Sequence, residues 1–424
     1  MTDAGEGSGR FWPWVLAALA VAVAVRLAYV AGSTVPSEPG FLVTFDPIYY
    51  HRQARAVADG LGFVAPYRAD GAPSADHPPL LVVVLALASK LGLSSFGAHR
   101  VVTALIGATV VPLVALLGRR LAGPRAGIVA AALAAVAPVL WANDGQLMPE
   151  PLYAVAVAGA LLLAHRIWDG AGPRRVAEAA ALGAVVALAG LTRGEGLALL
   201  GFTVVPVALW APSLDGWRPR AALVVVATVA CGVVLAPWLA YNAGRFEERV
   251  LLSASADSAF AGANCDLTYA GSQVGGWSSE CFAEHSNQTL EESVFSARIR
   301  ADAEDHVRQN LGALPEVGAA RVGRLWGVFR PSDGVELDVL QNRPRPVSWA
   351  GLATLALLVP LAAAGAVRLR RAGRPVVLLL ALPVMVTLVA VAFYGNPRFR
   401  VPADLALVVL AAAAVEGWWA RARR

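Results

Sequence analysis

The chain has little that would let it live as a soluble globule. Only 15% of its 424 residues are charged, while 57% are hydrophobic; an average soluble domain carries about 25% charged residues. Lysine is nearly missing: among 35 Lys and Arg, Lys90 is the single lysine. Three cysteines make neither a disulfide-dense scaffold nor a four-cysteine zinc site. There is no G-x-G-x-x-G after a strand pattern, no Walker loop and no H-E-x-x-H, which removes the dinucleotide, nucleoside-triphosphate and zincin signatures. No basic patch carries interleaved aromatics, so nucleic acid is not an expected partner.

What the chain has instead is long apolar runs, punctuated by most of its 27 prolines and 40 glycines. A helix needs about 20 apolar residues to cross a bilayer core, with a lower limit of roughly 17. Ten runs qualify or nearly do: 12–30, 98–117, 126–141, 151–168, 176–191, 196–210, 221–239, 349–367, 375–393 and 401–418. Tryptophans such as Trp12, Trp141, Trp168, Trp210 and Trp418 sit at run ends, as an interfacial belt does. The expected fold class is therefore an all-α integral membrane bundle. The first run lacks a small-x-small cleavage site and reads as an uncleaved anchor rather than a signal peptide.

Arginines follow every second run: Arg119, Arg120 and Arg125; Arg166, Arg174 and Arg175; Arg218 and Arg220; Arg368, Arg370, Arg371 and Arg374; Arg421, Arg423 and Arg424. The positive-inside rule makes those ends cytoplasmic. Both termini of a multi-pass plasma-membrane protein are then cytoplasmic. The run 80–93 breaks this count. Its 14 residues reach only about 21 Å as a helix, and a span there would invert the arginine pattern. It reads as a re-entrant or interfacial helix, a short eleventh span being the alternative.

This topology sends the conspicuous polar groups outward. The segment 44–80 is the first polar island. Asp46 stands beside Pro47, a good helix start, and Tyr49, Tyr50 and His51 follow on an expected helix. A carboxylate beside an apolar surface is expected to have a raised pKa and to serve as a base. Asp76 and His77 precede Pro78-Pro79, which force an extended approach to the next helix. Glu150 opens the fourth run, where it also suits the helix dipole. Arg193 and Glu195 share a tight turn, either paired with each other or functional. Arg398 and Arg400 precede Pro402 and the last run; two outward arginines at a helix start suit a phosphate or lipid head groups.

Residues 241–348 are too long for a bare connection. Cys265 and Cys281 are placed for a disulfide in an oxidising exterior. Thr289 and Glu292 form a capping-box pattern. Arg321, Arg324 and Arg330, mixed with Leu325, Trp326 and Phe329, read as an amphipathic helix on the bilayer surface. The expected division is 1–240 as a catalytic membrane core, 241–348 as an extracytoplasmic region and 349–424 as C-terminal membrane helices.

Asp46 in FDPIYYHRQARAVADGLGF, His77-Pro78-Pro79-Leu80, the Arg100 helix ending in Gly118-Arg119-Arg120-Leu121, Pro149-Glu150 and Arg398-Phe399-Arg400-Val401-Pro402 follow one another in this order. In that order the chain resembles the GT-C superfamily of membrane glycosyltransferases, the group of protein O-mannosyltransferases and the lipid A aminoarabinose transferase. The resemblance implies an inverting transfer of a sugar from a polyprenyl-phosphate donor to an acceptor hydroxyl outside the membrane. Asp46 would be the base. His77, Arg398, Arg400, Arg193, Tyr50, His51 and Arg100 would serve the donor phosphate or substrate; Glu150, Asp76 and Glu195 would serve the acceptor or a metal. The family often has Asp at Glu150, Asp-Glu at Asp46-Pro47 and sometimes Lys at His77. A divalent cation, the sugar and the acceptor (lipid, glycan or protein) therefore stay open. The competing readings are a transporter or flippase for a lipid-linked anion and a non-catalytic assembly subunit. The first requires mid-span ionisable groups and an inverted repeat; the second leaves the outward charges without a use.

Overall fold

The computed structural model describes residues 11–36, 46–68, 70–170, 174–285 and 290–422. The Thr289 end of the capping box, Arg423 and Arg424 lie outside the described residues. The helix Glu292–Gln309 takes its cap from Glu291, whose carboxylate accepts from the Ser293 amide at 3.0 Å.

All ten apolar runs fold as helix. Six are long and apolar enough to cross a bilayer: Phe11–Gly32, Phe96–Ala122, Glu150–Asp169, Trp217–Asn242, Arg345–Arg371 and Pro397–Ala422. A seventh is a pair, Pro124–Val136 and Pro138–Gln146, bent by 66°. Pro138 has no amide hydrogen to continue the first helix, so the chain turns there. The runs at 176–191, 196–210 and 375–393 give shorter pieces, Arg175–Gly190, Gly194–Trp210 and Val377–Ala392. At 1.5 Å per residue a 16-residue helix covers about 24 Å.

The last helix lies in the middle of the bundle. Of its apolar window 83% is buried, against 17% for Phe11–Gly32 and 22% for Arg345–Arg371. Helices Arg345–Arg371, Pro124–Val136, Val377–Ala392 and Val110–Ala122 surround it. The fit is close because small residues face each other, as membrane helices require: a Cβ on Gly365 would sit 1.8 Å from the Leu410 carbonyl oxygen. Segments 1–240 and 349–424 thus share one hydrophobic core. The central helix carries Arg398 at its start.

Leu80–Lys90 is an 11-residue helix lying on Asp46–Ala58. Leu81, Val82 and Leu85 bury against Tyr49, Tyr50 and Ala54. The outer segments are tied together by arginines. Arg245 donates to the carbonyls of Phe63 (2.8 Å) and Ser74 (3.3 Å). Arg321 and Arg324 are buried, 3% and 5% exposed. Arg321 donates to the carbonyls of Val391 and Ala263, and Arg324 to those of Val274 and Ser272. This corrects the expectation of a surface helix there: these two guanidiniums bind protein carbonyls rather than face the bilayer. Cys265 and Cys281 are joined as a disulfide. Cys231 is free and buried in a span.

Candidate active site

Four elements converge on one ion network. Pro78 and Pro79 lead into Leu80–Lys90, whose first amide donates to the Leu191 carbonyl at 2.9 Å. That bond fixes His77 near the turn that carries Arg193. The His77 ring stacks on Tyr50 (5.0 Å, 16°) and meets Tyr49 edge-on (4.9 Å, 85°). Its Nε2 lies 3.5 Å from Asp46 Oδ1 and 3.6 Å from Asp76 Oδ2.

Arg398 is the hub. Its Nε donates to Glu150 Oε1 at 2.6 Å, its Nη1 to Asp46 Oδ2 at 3.2 Å, and its Nη2 faces Met148 Sδ at 3.7 Å. Asn396 shapes the approach, its side-chain oxygen accepting from the Arg398 amide. Arg193 donates to the same Glu150 oxygen at 2.5 Å and to Glu195, and lies over the Phe399 ring at 5.2 Å. The Glu150 side chain is 2% exposed, Arg193 10%, Arg398 14% and Asp46 27%. Depth therefore increases from Asp46, at the mouth, to Glu150. The other Glu150 oxygen, Oε2, is buried without a partner among the described residues.

The charges set the proton affinities. Burial alone would raise the Asp46 carboxyl, but His77 and Arg398 outweigh it and hold it well below the usual carboxylate range. This corrects the expectation of a raised value: two cationic partners sit where the sequence pattern showed only apolar neighbours. Burial would lower His77, yet Asp76 and Asp46 raise it above an ordinary imidazole. Asp76 is raised, by burial and by Asp46, against the pull of His77.

The loop bearing Met148 and Glu150 is rigidly held from below. Arg26 pairs with Asp144 inside the bundle. The Arg343 guanidinium reaches Asn143 Oδ1 at 2.5 Å. Arg100 donates to the Gly145 carbonyl (2.6 Å) and to the carbonyl and hydroxyl of Ser33. Arg100 is thus a clamp on backbone, not a member of the network expected to meet a phosphate. Arg400 is also placed otherwise than expected. Only 3% exposed, it is held by Asp404 (2.8 Å) and the Leu325 carbonyl (2.8 Å). His51 faces away too, its Nδ1 3.1 Å from that of His99 and its ring against Phe96. Among the described residues no three His, Cys, Asp or Glu are grouped to hold a metal ion. Glu150 and Glu195 already face guanidiniums, so these two carboxylates do not fit a divalent cation.

Residues 76–241, just under two-fifths of the chain, match the family model described as dolichyl-phosphate-mannose-protein mannosyltransferase. No curated protein matches the sequence. Among solved structures, the oligosaccharyltransferase of Archaeoglobus fulgidus, tethered to an acceptor peptide containing the NVT sequon, superposes with TM-score 0.58 at 16% identity, over 97% of this chain and 50% of that one. The AglB oligosaccharyltransferase of the same archaeon, in complex with an inhibitory peptide and a dolichol-phosphate, gives 0.57 at 16% identity over 97% and 50%. The chain has the GT-C fold. It spans about half the length of those archaeal chains. ArnT from Cupriavidus metallidurans, bound to undecaprenyl phosphate, gives 0.49 at 16% identity over 96% and 78%.

On this GT-C fold the sequence expectations divide cleanly. Asp46, Tyr50, Asp76, His77, Glu150, Arg193, Glu195 and Arg398 meet, directly or through one neighbour. Arg100, Arg400 and His51 stand in separate contacts. Tyr49 and Phe399 were named only as neighbours and Met148 was given no role, although each adjoins a residue that was singled out. Glu292 was read only as a cap, yet it lines a cleft with Asp76.

Proposed function

We propose that this chain is an inverting glycosyltransferase that moves a sugar from a polyprenyl-phosphate donor to an acceptor hydroxyl on the extracytoplasmic face. The observation that carries the reading is Arg398, bound to both Asp46 and Glu150 across 352 and 248 positions of sequence. A base and a phosphate-binding fork are thereby one structure. Buried ion pairs are weak contributors to stability, so a network this costly calls for a use. The matched mannosyltransferase model and the dolichol-phosphate bound by the archaeal oligosaccharyltransferase agree with a lipid-phosphate donor.

In the proposed step the acceptor oxygen attacks the anomeric carbon from the face opposite the phosphate. Its proton passes to the Asp46 carboxylate, the bond from anomeric carbon to phosphate oxygen breaks, and polyprenyl phosphate leaves. The departing phosphate gains negative charge. Arg398, Arg193 and His77 stabilise that charge more in the transition state than in the ground state. Arg398 also couples the two events. While paired with Asp46 it weakens that carboxylate as a base. A phosphate that draws Arg398 away removes one positive neighbour, so the base strengthens when donor is bound. Membranes carrying Asp46→Asn should transfer no sugar from a polyprenyl-phosphate donor while yielding folded protein; wild-type transfer by that variant rules out the base assignment.

A further inference from the structure

Beside the network lies a second feature, a cleft of about 210 Å³ lined by residues 65–68, 72–74 and 76 on one side and by His285, Leu290, Glu292 and Phe295 on the other. Tyr49, Tyr67 and Phe295 give it aromatic walls, and Ser74, Asp76 and Glu292 give it polar ones. Its inner end reaches the network directly. Asp76 borders the cleft and lies 3.6 Å from His77 Nε2, which is 3.5 Å from Asp46. Tyr49 also borders it and packs edge-on against His77.

The charges lining this cleft are unequal. Arg68 is met by Asp70 (Nε to Oδ2 3.0 Å) and His285 by Asp302 (2.5 Å). Asp76 and Glu292 have no guanidinium partner among the described contacts, and Glu292 accepts from the Ala75 amide at 2.7 Å. With Arg68, His285 and Asp76 each facing an opposite charge, an ionised Glu292 leaves the cleft one uncompensated negative charge, which disfavours an anionic ligand. Three amides along the cleft's 65–76 side are already paired. The Ala65 amide donates to Ala72 and the Ser74 amide to Phe63, while the Ala72 amide donates to Asp70. An extended peptide would need free backbone groups along an edge. A ligand here meets side chains: aromatic faces, two hydroxyls 3.4 Å apart (Tyr49 and Ser74) and two carboxylate acceptors. That set suits a sugar ring, which presents apolar C–H faces and a rim of hydroxyl donors.

We propose that this cleft seats a sugar unit of a neutral glycan acceptor, with Asp76 and Glu292 receiving its hydroxyls and Tyr67 and Phe295 its faces. This rests on the transferase reading for the word acceptor, but the sugar site itself is separable from it. A hydroxyl held at the inner end lies beside the Asp76–His77–Asp46 chain.

The test is ligand-observed saturation-transfer NMR on the purified full-length protein. The probes are a neutral mannose trisaccharide, an anionic galacturonate trisaccharide, a serine- and threonine-containing peptide and farnesyl phosphate. At pH 8, where Glu292 is ionised, the neutral trisaccharide should bind at least tenfold more tightly than the anionic one. Glu292→Gln should narrow that gap to under threefold. Phe295→Leu, which keeps the apolar volume, should weaken the neutral probe several-fold without altering farnesyl phosphate binding or the melting midpoint. Equal binding of the two trisaccharides by wild type overturns the proposal, as does peptide binding that Phe295→Leu abolishes, or absence of trisaccharide binding. Trisaccharide binding without farnesyl phosphate binding keeps the sugar site and removes the transferase reading instead.

Discussion

Replacing Arg398 by lysine keeps the positive charge and removes the fork. The guanidinium reaches Glu150 through Nε at 2.6 Å and Asp46 through Nη1 at 3.2 Å. An ammonium is a point charge and does not reproduce that two-pronged geometry. A hydrogen bond to a charged group contributes about 1.5–3 kcal/mol, and the same fork meets the phosphate in the proposed complex. Lysine should therefore lose about one such bond, which corresponds to roughly ten- to hundredfold weaker polyprenyl phosphate binding. Alanine should lose both, with binding falling below detection at micromolar lipid. Glu150 keeps Arg193 and Asp46 keeps His77 in either variant, so the protein should still fold. The assay is equilibrium binding of radiolabelled polyprenyl phosphate to purified protein in detergent, with thermal melting as the folding control. Arg398→Ala binding within threefold of wild type, in folded protein, refutes the reasoning.

The remaining expectations concern pH and packing. Burial and Asp76 push Glu292 up to about 7 from an ordinary 4.5. Between those values the folded state holds more protons than the unfolded one, so stability falls as pH rises through this window. Glu292→Gln should flatten that fall and recover at most about 3 kcal/mol at pH 8; equal slopes of thermal midpoint against pH for both proteins contradict the assignment. Gly365→Ala would place a Cβ 1.8 Å from the Leu410 carbonyl oxygen, whereas Gly351 on the same helix has nothing within 4 Å. Gly365→Ala should cost about 1–3 kcal/mol and Gly351→Ala should be neutral or better, read as melting midpoints; equal midpoints contradict the close crossing.

Much of the site was legible because chemistry stood at the ends of apolar runs. His77, Glu150, Arg193 and Arg398 each border such a run, Asp46 stands in the polar island between the first two, and one-sided topology pointed all of them outward. Apart from His51, which meets His99, the misplacements were arginines that bind backbone carbonyls. Arg100 binds Gly145 and Ser33, Arg400 binds Leu325 beside Asp404, and Arg321 and Arg324 bind carbonyls of the disulfide loop. A carbonyl partner leaves no trace in residue identity, so an inward clamp and an outward phosphate ligand look alike in sequence. The Asp46 proton affinity failed for a related reason: local apolar neighbours were visible, but the Arg398 partner is 352 positions away. The central place of the last helix was equally hidden. Its run resembles the others, and only three-dimensional packing shows Val401 to Ala414 buried on every side.

The most direct measurement is a structure of the full-length protein with a polyprenyl phosphate bound. The account predicts the phosphate within about 3 Å of the Arg398 guanidinium, with the bond from Arg398 to Asp46 broken. A phosphate seated elsewhere, with Arg398 still joined to both Asp46 and Glu150, would contradict it.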